Sequence, residues 1–411
     1  MDLESTAVRR VRRSRPGTAV GIVALSTLLT MSVWFSATFV LPSLSLEWKL
    51  SEGQTSLLTI AVQGGFVVGA LGSTASGLAD GLSPRKLMCF GAFGAAFCNA
   101  GLLWCDDLMW AVPARFGTGM FLALVYPPAL KEVSTWFVRG RGKALGLMIG
   151  ALTLGSALPH LVGAAGGLDW RVVIAATSLL GIAGGLVVLL VRGQGPYPFP
   201  RRPFSFAAGF RSMRTREVAL ANVGYVGHMW ELYAMWAGVG AFILSLPELS
   251  RPSSGVLAPI LAFFCIGVGA VGSFVGGVLS DRWGRARAAF ISLVCSGAAA
   301  LALGLTYQAL PFWVIIALCG FWGFWVIADS AQFSALVAEN AEPEYVGGAL
   351  SLQLALGYTT TALTLWLVPQ IVEHASWNLA LCVLAIGPAL GAAAMWAVDK
   401  QSAARMATAG S

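Results

Sequence analysis

Glu231 sits midway along an apolar stretch, in the run Gly227-His228-Met229-Trp230-Glu231-Leu232-Tyr233-Ala234-Met235-Trp236. A carboxyl group among such neighbours suits one chemistry, the uptake and release of a proton as its surroundings alternate between dry and wet. His228, one position short of a full helical turn away, would share that proton. Asp329 is the second carboxyl of this kind, although Ser330 and Gln332 beside it would also satisfy it as a structural group. Arg115 is the cation within such a stretch, and its alternatives are a functional charge, serving as counter-charge to Glu231 or Asp329, or a side chain snorkelling to the outer surface. His160 follows Pro159 and reads as a packing residue.

Aromatic residues form a second set. Trp48, Trp104, Trp110, Trp136, Trp170, Trp377 and Trp396 fall where apolar stretches end and suit interfacial anchoring. Trp34, Phe35, Tyr126, Tyr225, Trp230, Tyr233, Trp236, Phe321, Trp322, Phe324 and Trp325 do not. Those rings would stack on a planar or partly apolar organic molecule or meet a cation, with ordinary helix packing as the alternative.

The elements that must hold these residues are helices in lipid. Of 411 residues only 11% are charged, against about 25% in soluble globular proteins. Hydrophobic residues make up 57% and mean hydropathy is +0.76, which excludes disorder, a coiled coil, a collagen and a soluble multidomain enzyme. Uncharged runs exceed the roughly 20 residues that cross a bilayer as a helix, and none shows the alternation of a membrane barrel. The pattern predicts an all-α membrane protein of twelve spans near 18–41, 55–78, 86–105, 108–130, 142–163, 171–191, 218–245, 255–280, 287–307, 311–337, 346–371 and 377–398. Gln308 and Pro311 mark the turn between the ninth and tenth.

Lys and Arg fix the orientation, since short cytoplasmic loops hold the excess. With the N-terminus inside, 22 fall on the inner side and Lys49, Arg171 and Arg251 on the outer. The formal charge of +7 is therefore an orientation signal and calls for no nucleic acid. The basic tail and first apolar stretch read as a retained span, not a cleaved signal peptide. Seven cysteines, at 89, 98, 105, 265, 295, 319 and 382, lie in or beside spans with no metal spacing and read as small apolar filler. With no Asn-x-Ser/Thr sequon, a bacterial cytoplasmic membrane fits. Gly267-Val-Gly269-Ala-Val-Gly272 lies inside a span with no preceding strand, so it reads as a packing face and not a nucleotide loop.

The chain repeats at half its length. Asp80 recurs as Asp281, and Gly142-Lys-Ala-Leu-Gly-Leu147 is echoed by Gly347-Gly-Ala-Leu-Ser-Leu352. Trp170 and Trp377 open the sixth and twelfth spans. This predicts a tail at 1–17, a six-helix bundle at 18–192, a linker at 193–217, a second bundle at 218–399 and a tail at 400–411. Such parallel repeats place a solute site between the halves.

Gly277-Val-Leu279-Ser-Asp281-Arg282-Trp-Gly284-Arg285 resembles the G-x-L-x-D-R-x-G-R loop of the major facilitator superfamily, and the resemblance covers essentially the whole chain. The first copy, Ser76-Gly-Leu78-Ala-Asp80-Gly-Leu-Ser83-Pro-Arg85-Lys86, is eroded. The resemblance implies two six-helix pseudo-repeats that transport by alternating access. It implies gating by Asp80, Arg85, Glu132, Asp281, Arg282, Gly284 and Arg285, with Asp80 capping the start of span eleven, Arg85 reaching Glu132, and arginines pairing across the halves. Arg115-Phe-Gly-Thr-Gly119 resembles the family's R-x-x-x-G element, whose arginine faces the central cavity. Gly155-Ser-Ala-Leu-Pro159 resembles the antiporter element only loosely.

No phosphate-binding loop, metal cluster, nucleophile elbow or HExxH appears, so an enzyme is not expected, nor any cofactor beyond a proton as coupling ion. A pseudo-duplicated chain closes a central path alone and is expected to work as a monomer, in contrast to a channel. The function expected is proton-coupled movement of a small organic solute across the cytoplasmic membrane, with both termini cytoplasmic. Drug or metabolite efflux is the close alternative, and nitrate or nitrite transport a weaker one, because spans two and eight lack the arginines of such carriers. The pathway residues expected are Glu231, Asp329, Arg115, His228, Trp34, Tyr126, Trp230, Tyr233, Trp236, Trp322 and Trp325.

Overall fold

Helices account for every regular element among the residues that the computed structural model describes, which are 14–78, 82–137, 141–165, 169–193, 195–197, 210–249, 256–342 and 345–409. The first six spans are α1 (Pro16–Trp48), α2 (Gly53–Ala75), α3 (Pro84–Trp104), α4 (Leu108–Ser134), α5 (Gly142–Ala165) and α6 (Trp170–Leu190). The second six are α7 (Arg216–Leu244), α8 (Leu257–Trp283), α9 (Arg285–Ala309), α10 (Phe312–Asn340), α11 (Val346–His374) and α12 (Trp377–Gln401).

Ten of these are long and apolar enough to cross a membrane. The helices α7 and α11 are 29 residues each, long enough for a bilayer, and fall where the seventh and eleventh spans are expected. They miss on apolarity because they carry the groups that matter: Glu217, Asn222, His228 and Glu231 on α7, and Gln353, Tyr358, Thr361 and Thr364 on α11, all buried. The arrangement is that of two six-helix repeats.

Five helices are interrupted, α8 and α12 by one residue each, at Val268 and Ala385, and three by a wider break. The first breaks between Met31 and Ser36, the fourth at Ala123–Val125 and the tenth at Ile327–Asp329. Backbone groups freed inside a membrane need partners from the protein, and polar side chains converge at the breaks in α1 and α10. Glycine permits the close helix contacts. A methyl at Gly277 on α8 would fall 2.7 Å from the carbonyl of Gly142 on α5, and one at Gly146 would fall 2.7 Å from Ser273 O. Ser273 Oγ donates to Gly146 O at 3.0 Å, stitching α8 to α5 across the halves.

Candidate functional site

The second repeat's loop is laid out as its sequence suggests. Gly284 ends α8 at φ +89°, a conformation that favours glycine, which explains that position in the loop. Asp281 rests against the first turn of α5, where a methyl on Gly142 would fall 2.6 Å from Asp281 Oδ1. A carboxylate there meets the positive end of a helix in the opposite half. Asp80 lies outside the described residues, so the matching contact with α11 does.

Arg85 reaches Glu132, with Nε 3.9 Å from Oε1, and also donates to the carbonyl of Val191. Arg285 bonds Glu339 at 2.7 Å in the same way. These arginine pairs join neighbouring helices inside one half, α3 to α4 and α9 to α10. The expectation that arginines bridge the halves is therefore corrected: in the described residues it is Asp281 that crosses. Arg282 is exposed.

Arg115 is fully buried, so it does not snorkel. Its Nη2 donates to Trp34 O at 2.6 Å, and Nη1 to Asn99 Oδ1 at 2.9 Å and Val33 O at 3.4 Å. Two of these acceptors are carbonyls freed by the break in α1. No carboxylate pairs with the guanidinium among the described residues, so the expectation of a counter-charge for Glu231 or Asp329 is corrected. Asn99 extends the knot, since its Oδ1 also accepts from Ser36 Oγ at 2.7 Å and its Nδ2 donates to Ser178 Oγ at 2.9 Å and Thr177 Oγ1 at 3.3 Å. Sequence reading missed Asn99, although a lone amide in an otherwise apolar span was the available signal.

Glu231 is 1% exposed and turns into its own half. Ser296 Oγ of α9 donates to Oε2 at 2.8 Å and Trp322 Nε1 of α10 to Oε1 at 2.8 Å. His228 stands between the break in α10 and its neighbour, with Nδ1 2.8 Å from Asp329 Oδ1 and Nε2 2.8 Å from Ser330 Oγ. The structure thus joins Glu231 with Trp322, and His228 with Asp329, as two adjoining polar sites on α7 and α10.

The aromatic residues face the other way. Two positions along α7 from Glu231, and so nearly opposite, Tyr233 packs on Trp34 (centroids 5.7 Å) and Phe35 (5.8 Å) of α1. Trp236 meets Phe35 edge-on at 5.8 Å. Phe66 of α2 and Tyr358 of α11 close the cluster, 4.6 Å apart, with Phe66 4.8 Å from Trp34 and the hydroxyls of Tyr233 and Tyr358 3.1 Å apart. Rings that the sequence suggests for a solute stack on one another across the halves. Phe66 and Tyr358 were not among the sequence candidates.

Three expected pathway residues belong neither to this cluster nor to the polar sites of Arg115, Glu231 and Asp329. Trp230 donates to Val383 O of α12 at 3.1 Å, and Trp325 packs on Phe321 and Phe324, so both are corrected to packing positions. Tyr126 opens the second part of α4, half-buried against the core. His160 packs edge-on against Phe39 at 5.0 Å, as a packing residue would.

Beneath the rings, at the end where α2 meets α3, lies a cavity of about 120 Å³ lined by Phe66, Ser73, Thr74, Lys131, Ser351 and Tyr358. It is small beside the roughly 300–1,000 Å³ of ligand pockets, and its inner wall is the Phe66–Tyr358 pair. The path between the halves is closed at its centre.

Twelve helices in two repeats around an interface closed by side chains are the arrangement of a membrane transporter. The Major Facilitator Superfamily model matches residues 23–358 and 252–409, and the chain belongs to that family. It is similar to the MFS transporter asaE of Aspergillus flavus, 25% identical over 306 residues covering 72% of this chain and 67% of that one. The agnestins efflux protein AgnL12 of Paecilomyces divaricatus is 28% identical over 54% of this chain and 50% of its own length. Among solved structures, the proton:xylose symporter XylE superposes with a TM-score of 0.68 at 16% identity, over 93% of this chain and 95% of that one, a likeness of fold. The chain is a multi-pass membrane transporter and not an enzyme.

Proposed function

We propose that this transporter couples the movement of a small organic solute to a proton carried by Glu231. The observation that carries the reading is the environment of that carboxyl: fully desolvated, between two neutral donors, with no cation within bonding distance among the described residues. An ionised carboxylate without a counter-charge is costly in a dry site, whereas the acid form is not, so the proton is the counter-charge that can be taken up and released. Asp329 is the second carrier. It already has His228 at 2.8 Å, which suits it to pass a proton along the α7–α10 seam.

The direction of transport follows from what the proton is exchanged for. Efflux is the second reading, supported by the similarity to an efflux protein. We place both termini in the cytoplasm of a cell whose inner membrane holds the chain as a monomer, on the charge asymmetry of its loops. The test is uptake of a labelled organic solute panel into proteoliposomes under an imposed pH gradient. Glu231→Gln is expected to abolish gradient-driven accumulation while solute exchange at equal pH persists. Wild-type accumulation by that variant would remove Glu231 from the coupling.

A further inference from the structure

The aromatic cluster holds buried hydrogen-bonding groups that have no partner among the described residues. Trp34 Nε1 and Trp236 Nε1 each lack an acceptor, although both side chains are 2% exposed. Gln63, fully buried on α2, lacks a partner at both Nε2 and Oε1. Gln63 lies four residues after Thr59, which bonds Thr38 of α1 at 2.9 Å, and three before Phe66, which packs on Trp34. All three therefore look from α2 onto α1 beside the rings.

A buried polar group left unpaired costs about 1–3 kcal/mol, so native interiors rarely keep several together. Those of Trp34 and Trp236 lie where the halves meet, and that of Gln63 lies beside them between α2 and α1. The rings around them offer flat apolar faces. The local charge is positive, because Arg115 has no carboxylate and binds the carbonyl of Trp34 itself. Glu231 and Asp329 point away, held by Ser296, Trp322 and His228.

We infer that the transported solute is a flat, conjugated organic molecule whose carbonyl or phenolic oxygens accept from the indole N–H groups of Trp34 and Trp236, and which carries no fixed positive charge. It enters when the Phe66–Tyr358 and Tyr233–Tyr358 contacts part, and its ring system replaces their stacking. Gln63 supplies a further donor and acceptor at the rim. The inference rests on the transport reading but concerns the solute and not the proton.

The test is equilibrium binding to the full chain in lipid nanodiscs at one pH and with no gradient, with empty nanodiscs as blank. Anthraquinone-2-sulfonate and anthracene-2-sulfonate share size, flatness and charge and differ in two carbonyl oxygens; ethidium is flat and cationic. The quinone is expected to bind about tenfold tighter than the anthracene, the scale of one to two net hydrogen bonds, and tighter than ethidium. Trp34→Phe and Trp236→Phe keep a ring and remove the N–H, so each should narrow the quinone-to-anthracene ratio about threefold or more. Equal affinities for the two sulfonates, no saturable binding of either, tighter binding of ethidium, or a ratio unmoved by both substitutions each overturns the proposal. Should either variant fail to fold, the wild-type ratios still decide. Failure of the proton reading would appear in the uptake assay alone, since no gradient enters this measurement.

Discussion

The two halves each bury a polar knot that joins corresponding helices, and they use it differently. In the first half, α1, α3 and α4 meet through Arg115, Asn99 and the carbonyls of the α1 break. In the second, α7, α9 and α10 meet through Glu231, Ser296 and Trp322. The first knot contains a charge that cannot be discharged, since a guanidinium keeps its proton, and directs it at backbone carbonyls freed by the α1 break. The second contains a charge that a proton cancels, held by an indole and a hydroxyl that bond either form of the carboxyl. One knot is a fixture and the other can change state without being rebuilt.

The largest effect should come from breaking the fixture. Arg115→Met strands the carbonyl of Trp34, leaves that of Val33 with Ser36 Oγ alone and removes one of the two donors to Asn99 Oδ1, at about 1–3 kcal/mol for a buried acceptor left unpaired. The expected outcome is a sharp drop in monodisperse protein and in thermal unfolding temperature in detergent. Arg115→Lys should recover only part, because an ammonium cannot span acceptors that a planar fork reaches together. A stable Arg115→Met protein would erase the contrast between the halves.

Glu231→Gln should be far milder in the same stability assay, about 1 kcal/mol or less. The amide can still accept from Trp322 and can donate to Ser296 Oγ, so neither neighbour is stranded. A loss of folding as large as that of Arg115→Met would make Glu231 a structural fixture too, and its role in coupling would fall with it.

How legible this was depends on the kind of information each feature needs. Span number, repeat and family follow from apolar run length and loop spacing, which are one-dimensional. Even the two helices of lower apolarity were recoverable, because charge asymmetry and the Gly347 echo required them. Glu231, His228 and Asp329 stood out as ionisable groups in apolar stretches, but their direction did not. Glu231 and Tyr233 are two residues apart, and only packing tells which faces the opposite half. Arg115 misled for a related reason: its partners are carbonyls, which every residue has and no sequence marks. Phe66 and Tyr358 were passed over because an aromatic residue at helical spacing carries no sign of the ring it will meet.

The smallest effect belongs to the loops, and it separates latching within a half from latching between halves. Arg285 pairs with Glu339 inside one half, and Glu339 is 52% exposed, so the pair contributes about 0–1 kcal/mol and stays intact whichever way the halves rock. Asp281 differs in being the acid of one half set on the helix start of the other, a contact that exists only while α5 and α8 lie together at this end. A charge at a helix terminus is worth about 0.3–1 kcal/mol, too little to alter folding but enough to change an exchange rate between two arrangements several-fold. Asp281→Asn should therefore leave the unfolding temperature within about a degree or two of wild type while altering counterflow rates. Equal rates would mean that Asp281 sets topology alone and that the closed end is held by the glycine contacts of Gly142, Gly146 and Gly277.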